Sequence, residues 1–250
     1  MPPLIIAHRG DSAHRPENTL AAFASALEAG VDLLECDVHL TRDGQVVVIH
    51  DPSLDRTTSG RGRVGDLTLA EIRALSAGYP ERFGRAYAGE RVPTLAETLG
   101  LLRGRGRIMV EIKGEAVTEA EADGIEARAI NEVRKAQMAR DVAFLSFDRR
   151  ALLRCRKLAP EMPRGHLFSR ASADEMVAGA REAGCDIVMP EKGLLTTEVR
   201  DRVRGAALKL ATWVVDEPEE LRALARFDLY GVASNRPAVL LEALADGIAG

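Results

Sequence analysis

Eight short apolar runs punctuate the chain, at residues 4–7, 33–38, 108–112, 142–147, 164–168, 186–189, 208–214 and 229–233. Amphipathic stretches separate them, and this alternation predicts a parallel sheet with crossover helices. Thr94-x-x-Glu97, Thr118-x-x-Glu121 and Ser172-x-x-Glu175 read as capping boxes that start three of those helices. Eight βα units in 250 residues predict the α/β class and a TIM (β/α)8 barrel, with residues 1–250 as a single domain.

One segment departs from this count. After the second run, Thr41-Arg42-Asp43-Gly44 reads as a hairpin turn and residues 45–49 as a short apolar strand. Residues 51–93, rich in Gly and Arg, then form a decorated loop with one short helix near 68–75. The excursion 39–93 thus lies inside the barrel domain. Gly60-Arg61-Gly62-Arg63-Val64-Gly65 lacks the Lys-Ser/Thr ending of a P-loop and reads as a flexible loop at the rim.

Composition narrows the partners. Hydrophobic residues make up 46% and charged ones 29%, which supports a sizeable core and excludes the disordered class. The 34 Lys and Arg against 38 Asp and Glu leave a net charge of -4, so there is no basic field for a nucleic acid backbone. Arginines spread along the chain fit solvated helix faces, not a polybasic membrane tail. Cys36, Cys155 and Cys185 are odd in number and lack CxxC spacing, so they read as reduced thiols of a cytoplasmic protein. No basic leader precedes the first apolar run, and no run approaches the ~18 residues of a membrane span, so neither export nor a membrane anchor is expected.

In a TIM barrel the active site lies at the C-terminal ends of the strands. There the chain carries His8-Arg9-Gly10, then Glu35 and Asp37, His50-Asp51, and Glu111 with Lys113. Period-two alternation turns Glu35 and Asp37 to one side, and likewise Glu111 and Lys113. Carboxylates gathered at one mouth repel by about 4 kcal/mol per pair at ~4 Å and an effective dielectric of ~20. They call for one divalent cation, and oxygen ligands without cysteine favour Mg²⁺ or Ca²⁺, with Mn²⁺ also suited. The bland alternative is a set of salt bridges to arginines. His8 and His50 are the natural acid–base pair. His14, His39 and His166 read as loop or packing residues. Arg9 has the donor fork to hold a phosphate, or else pairs structurally with Glu35 or Glu111.

His8-Arg9-Gly10 and Pro16-Glu17-Asn18-Thr19 are followed by Leu33-Leu34-Glu35-Cys36-Asp37-Val38, Thr41-x-Asp43-Gly44, His50-Asp51 and Arg56-Thr57-Thr58. With Pro93-Thr94-Leu95, Glu111-Ile112-Lys113, Ser146-Phe147-Asp148 and Trp213, this series resembles the glycerophosphodiester phosphodiesterase family, of the bacterial cytoplasmic type, across essentially the whole chain. The resemblance implies a metal-dependent barrel that cleaves glycerophosphodiesters, such as glycerophosphocholine or glycerophosphoethanolamine, to glycerol 3-phosphate and an alcohol. It implies His8 and His50 as catalytic residues and Glu35, Asp37 and Glu111 as metal ligands. Physical reasoning adds Arg9 and Lys113 as partners of the phosphoryl charge. Which histidine is acid and which base stays open, as do the attacking oxygen and the oligomeric state.

Other positions carry smaller expectations. Asn18 and Thr19 begin the first helix, Glu17 favours its dipole, and Asp148 is an N-cap. Trp213 either walls the substrate pocket or packs in the core. Two stretches depart from the family pattern: Trp213-Val214-Val215-Asp216 stands where Trp-Thr-Val-Asn is common, and Ser234-Asn235-Arg236-Pro237 where Thr-Asp is usual before proline. These departures are expected to bear on headgroup preference and not on the metal or the histidines. Two other functions compete: a lysophospholipase D-type phosphodiesterase, which wants an apolar rim in 51–93, and a non-catalytic barrel that binds metal and phosphate.

Overall fold

The structure is a computed structural model that describes residues 2–31 and 33–247. Its strands are β1 (Leu4–His8), β2 (Leu33–Leu40), β3 (Val46–Val48), β4 (Arg107–Ile112), β5 (Val142–Ser146), β6 (Arg164–Phe168), β7 (Ile187–Pro190), β8 (Lys209–Thr212) and β9 (Gly231–Ser234). All but β3 pair in parallel in the order β1-β9-β8-β7-β6-β5-β4-β2, and β1 pairs with β2 to close the ring. The result is an eight-stranded TIM barrel. All eight expected runs are strands of it, with ends that agree to within two residues.

Helices follow the strands around the outside: α1 (Leu20–Glu28), then α2 (Leu69–Arg73) and α3 (Pro80–Phe83) in the excursion, α4 (Leu95–Leu102), α5 (Ile125–Lys135), α6 (Arg149–Leu158), α7 (Ala173–Ala183), α8 (Thr197–Gly205), α9 (Pro218–Leu224) and α10 (Pro237–Ala245). Capping boxes start α4 at Thr94–Glu97 and α7 at Ser172–Glu175, and a third starts α2 at Thr68–Glu71. The box expected at Thr118–Glu121 does not form. Helix α5 starts six residues later, on an N-cap at Gly124 with extended backbone. The Glu121 carboxylate instead accepts from Lys157 Nζ at 2.9 Å, and the Thr118 carbonyl accepts from Arg154. The carboxylate that would complete the box is thus drawn to α6.

Strand alternation sorts the side chains into two layers. Leu34, Cys36 and Val38 of β2 face outward and are fully buried under the helices with Phe23, Leu99 and Leu102. Ile6, Leu33, Met109, Leu145, Leu167, Ile187, Met189 and Ala211 fill the barrel interior. Each Ile, Leu or Met among them, fully buried, contributes roughly 1.5–3 kcal/mol. Along β2 and β4 the inward positions switch from Leu33 and Met109 to Glu35, Asp37 and Glu111 toward the C-terminal ends. An apolar floor thus lies beneath a charged mouth.

The excursion adds β3 antiparallel to β2, with Val38 opposite Val48 and Leu40 opposite Val46. It has its own small core of Val47, Ile49, Leu54, Val64, Ile72, Ala77 and Val92. The Gly60–Gly65 run, expected as a flexible loop, is pinned by backbone hydrogen bonds from Leu54 N–H to the Gly62 carbonyl and from Val64 N–H to the Pro52 carbonyl, both 2.9 Å. Its aromatics Tyr79, Phe83 and Tyr87 stack edge-on with one another and lie under the guanidinium groups of Arg56, Arg82 and Arg15. They form no exposed apolar rim. Among the described residues no helix is long and apolar enough to cross a membrane, and Cys36, Cys155 and Cys185 are buried free thiols.

Candidate active site

Strand register builds the site. His8 at the end of β1 is paired with Glu35 of β2, and Asp37 of β2 is paired with Glu111 of β4. Neighbours in parallel register point the same way, so these four side chains converge at the mouth. Glu35, Asp37 and Glu111 each offer a carboxylate oxygen within 4.8 Å of the others, and all three are buried. His8 Nε2 lies 4.0 Å from Glu35 Oε2.

Two cations enter this cluster from the chain itself. Lys113 Nζ bridges Asp37 Oδ1 at 2.8 Å and Glu111 Oε1 at 2.7 Å. Arg9 Nε lies 3.3 Å from Asp37 Oδ2, and its Nη1 donates to Glu17 at 2.9 Å. Arg9 sits at φ +58, in left-handed backbone that aims its side chain back over the mouth. Next to it Gly10, at φ +82, lets α1 pass close: a Cβ there would stand 2.6 Å from the Ala22 carbonyl carbon.

Two positive side chains do not balance three buried carboxylates evenly. Burial raises the Asp37 carboxyl, but Lys113 and Arg9 hold it well below the usual carboxylate range. Burial followed by the charges of Asp37 and Glu111 pushes Glu35 well up. Burial and the Asp37 charge push Glu111 up to about 7. Glu35 Oε1, moreover, is buried with no hydrogen-bond partner among the described residues. An unpartnered oxygen in a cluster short of positive charge, with oxygen donors only, suits a hard divalent cation.

The cluster forms one side of a cavity of about 170 Å³. Its polar half is His8, Arg9, Glu35, His50, Glu111 and Lys113, and its apolar half is Leu145, Phe147, Leu167, Met189, Trp213 and Ala233. Asp37 lies behind this lining, fully buried. Trp213 walls the cavity, with its indole N–H on the Met189 carbonyl at 3.1 Å and its ring 5.7 Å from Phe147, edge to face. A more open groove of about 530 Å³ adjoins the cavity, shares His50, Glu111, Lys113 and Phe147 with it, and adds Glu115, Asp148 and Arg149.

The two histidines are held differently. His8 is mostly buried, its Nδ1 lies 2.8 Å from Asn235 Oδ1, and burial together with Arg9 pushes its pKa down to about 4. His50 is about one-third exposed, and its Nδ1 lies 2.6 Å from Asp51 Oδ1. Arg56 grips the same Asp51 carboxylate through Nε at 2.7 Å and Nη2 at 3.0 Å, and that grip pulls the Asp51 pKa down to about 2. Arg56 also donates to both oxygens of Glu17, at 2.8 and 2.9 Å. Glu17 therefore joins Arg56 to Arg9, a role beyond the helix dipole expected for it.

Three further expectations change. Thr19 does cap α1, accepting from Ala22 N–H at 3.3 Å, but Asn18 does more than begin that helix. Its amide holds Asp37 twice, donating to Oδ2 at 2.8 Å and accepting from the Asp37 N–H at 3.3 Å. Arg9 pairs with Glu17 and Asp37 in place of Glu35 or Glu111. The Ser234–Asn235 and Asp216 stretches, expected to leave the histidines alone, reach His8 through Asn235. The period-two rule carries the signal: Ala233 lines the cavity, and Asn235 is two positions further on, past the end of β9. Asp148 caps α6 as expected, accepting from Arg150 N–H at 2.8 Å. His39 donates through its ring nitrogen Nε2 to the His50 carbonyl at 3.0 Å, so that nitrogen bears a proton. His166 is buried beside Phe168, and His14 is half exposed on Asp11.

Residues 8–239 match the profile of the glycerophosphoryl diester phosphodiesterase family. A glycerophosphodiester phosphodiesterase of Caldanaerobacter subterraneus subsp. tengcongensis is 36% identical over 248 residues, covering 99% of this chain and all of that protein. One from Bacillus subtilis is 30% identical over 249 residues, covering 94% of this chain and 84% of its own. Among solved structures, an Oleispira antarctica phosphodiesterase in complex with the product sn-glycerol-3-phosphate superposes with a TM-score of 0.89 at 29% identity, covering 97% of each chain. With the profile matched along nearly the whole barrel and a full-length relative at 36% identity, the chain is an enzyme of the glycerophosphoryl diester phosphodiesterase family.

Proposed function

We propose that this enzyme, with residues 1–250 working as one barrel unit, hydrolyses small glycerophosphodiesters such as glycerophosphocholine or glycerophosphoethanolamine to glycerol 3-phosphate and an alcohol. The observation that carries the reading is the placement of His8 and His50 on one cavity with the three-carboxylate cluster between them. Glu35, Asp37 and Glu111 are the residues to hold one divalent cation, Mg²⁺ or Ca²⁺ with Mn²⁺ as a third fit, which supplies positive charge to the phosphoryl oxygens. Arg9 and Lys113 add to that charge from the polar wall. Cytoplasmic residence is part of the proposal, supported by three buried free thiols.

The cavity and the outer groove share His50, Glu111 and Lys113, so the phosphoryl group belongs at that junction, with one ester arm in each compartment. The apolar wall of Trp213, Phe147 and Met189 suits the carbon face of one arm, and the open groove suits an alcohol of variable size. His8 accepts at Nε2 a proton of the attacking water as the water oxygen bonds to phosphorus and the bond from phosphorus to the alcohol oxygen breaks. His50, backed by the Asp51 carboxylate, delivers a proton to the departing alcohol oxygen. Each histidine ends in the other's starting state, and a proton exchanged with water resets both.

Glycerol 3-phosphate release from a panel of glycerophosphodiesters, with and without a chelator, tests the reading. Product that disappears on chelation and returns with Mg²⁺ or Ca²⁺ is the expected result. Metal binding with no product on any headgroup would instead favour a barrel that binds without turnover.

A further inference from the structure

His8 faces two directions: Nε2 looks into the cavity, and Nδ1 looks toward the end of β9. What stands behind it there is an amide, and an amide can present either of its ends to a ring nitrogen. Its orientation therefore decides where the imidazole carries its proton.

The surroundings of Asn235 leave one orientation. Asp216 Oδ2 lies 2.9 Å from Asn235 Nδ2, while Asp216 Oδ1 accepts from the Asn235 backbone N–H at 2.7 Å and from the Ser234 hydroxyl at 3.1 Å. An ionised carboxylate only accepts, so the amide NH₂ must point at Asp216 and the amide oxygen at His8. The reverse orientation would set two oxygens 2.9 Å apart with no proton between them. On the other side, Ser12 Oγ lies 2.9 Å from Asn235 Oδ1 and 2.8 Å from the His8 carbonyl, a hydroxyl donor between two acceptors. Asn235 Oδ1 therefore faces two groups that can donate to it, the His8 ring nitrogen and the Ser12 hydroxyl, whose single proton also has the His8 carbonyl within reach.

We propose that Asn235 is a positioning residue that fixes His8 as the neutral tautomer bearing its proton on Nδ1, with the Nε2 lone pair turned into the cavity, and that Asp216 is the clamp that sets the amide's orientation. The tautomer rests on hydrogen-bond geometry alone; its use in turnover rests on the role proposed above for His8. The device is built from both ends of the barrel sequence. Asp216 follows β8 and Asn235 follows β9, and β9 lies beside β1 in the closed ring.

The test is a long-range ¹H–¹⁵N correlation spectrum of the full chain labelled at histidine, recorded near pH 7.5 with chelator, with the His8 signals assigned from their loss in His8→Gln. Free neutral imidazoles favour the proton on Nε2, so the expected wild-type pattern, a pyrrole-type Nδ1 and a pyridine-type Nε2, runs against the intrinsic preference. A pyridine-type Nδ1 in the wild type overturns the proposal without any variant. Asn235→Ala is expected to lose the pattern and to lower kcat about tenfold or more with KM changed less than about twofold. The exchanged pair D216N/N235D keeps an acceptor at position 235 and a donor behind it, so it should keep the proton on His8 Nδ1; its added carboxylate also favours the charged ring, so this pair is read by the Nδ1 signal and not by kcat.

Asn235→Ala that shifts the tautomer but leaves kcat unchanged overturns the positioning role. An unshifted tautomer in that variant overturns Asn235 as the residue that fixes it. If wild-type protein shows the expected spectrum yet no substrate is cleaved, it is the phosphodiesterase reading that fails and the tautomer assignment that survives.

Discussion

His8 and His50 line the same cavity but are delivered and held by different parts of the molecule. His8 belongs to the barrel proper, buried at the end of β1 against an amide oxygen from the end of β9. His50 comes from the excursion, more exposed, against the Asp51 carboxylate that Arg56 and Glu17 link back to Arg9. A neutral acceptor orients an imidazole and stabilises its charge only weakly, whereas a carboxylate orients it and stabilises its charge strongly. Burial and Arg9 depress His8, and Asp51 is held ionised down to about 2. The same residue type is thus prepared for opposite proton transfers by the company each scaffold provides.

The sharpest way to break this contrast is to remove each histidine in turn. His8→Ala and His50→Ala are each expected to lower kcat by about 10²–10⁴-fold on a diester of a poor leaving alcohol. A nitrophenyl ester of glycerol phosphate then separates them, because nitrophenolate departs without a proton. The His50→Ala defect should shrink to about tenfold or less on that ester, while the His8→Ala defect persists. Equal shrinkage of both defects would remove the assignment of base to His8 and acid to His50. One step back, Asp51→Asn keeps the shape but not the charge behind His50 and is expected to cost about 10–100-fold in kcat, again less on the nitrophenyl ester.

The contrast also marks how far the sequence could be read. The eight strands, the excursion and the charged residues at the strand ends follow from local pattern, since period-two alternation and apolar runs are properties of neighbouring residues. Glu35, Asp37 and Glu111 stood out because charge inside apolar runs is costly, and strand register then placed them together. The groups that hold them did not stand out. Asn18 resembles any residue before an N-cap, Glu17 any acid near a helix start, and Arg56 is one of many arginines. Their roles depend on contacts across 19, 8 and 39 residues of chain, which no local period records. The missing capping box at Thr118 is the converse case, in which local pattern offered the right residues but Lys157 of α6 takes the Glu121 carboxylate.

The carboxylate cluster lets the same comparison be read as stability. Because Glu111 is pushed up to about 7, the folded chain retains a proton that the unfolded chain has already released, so its contribution is lost as pH rises from about 4.5 through 7. His8 has the opposite sign: with its pKa down to about 4, the unfolded chain binds the proton first, and stability rises with pH from about 4 to 6.5. The two oppose each other at mildly acid pH, and above about 6.5 the carboxyl slope stands alone. In chelator the melting temperature should therefore fall between pH 6.5 and 8, by on the order of 1 kcal/mol, or about 2–4 °C. Thermal scans should show the fall reduced by Glu111→Gln, in which Glu35 remains a raised carboxyl, and abolished by excess Mg²⁺ or Ca²⁺. A fall of the same size in all three samples would mean that the cluster is not its source.

Phe147 offers the smallest effect and a control for the rest. Its ring is 42% exposed, sits where the cavity meets the outer groove, and packs edge to face on Trp213. It faces the histidines across the site and handles no proton. Phe147→Ala forfeits the aromatic pair, worth about 0.5–1.5 kcal/mol, and part of the wall that one ester arm would touch. Because that contact is the same before and at the transition state, KM should rise by only about 2–10-fold with kcat nearly unchanged. Comparing glycerophosphocholine with glycerophosphoethanolamine then locates the arm: a KM change that differs between them puts Phe147 against the alcohol, and an equal change puts it against the glycerol. A fall in kcat that matches the loss in kcat/KM would instead tie the wall to the proton-handling side and erase the division of labour between the two halves of the cavity.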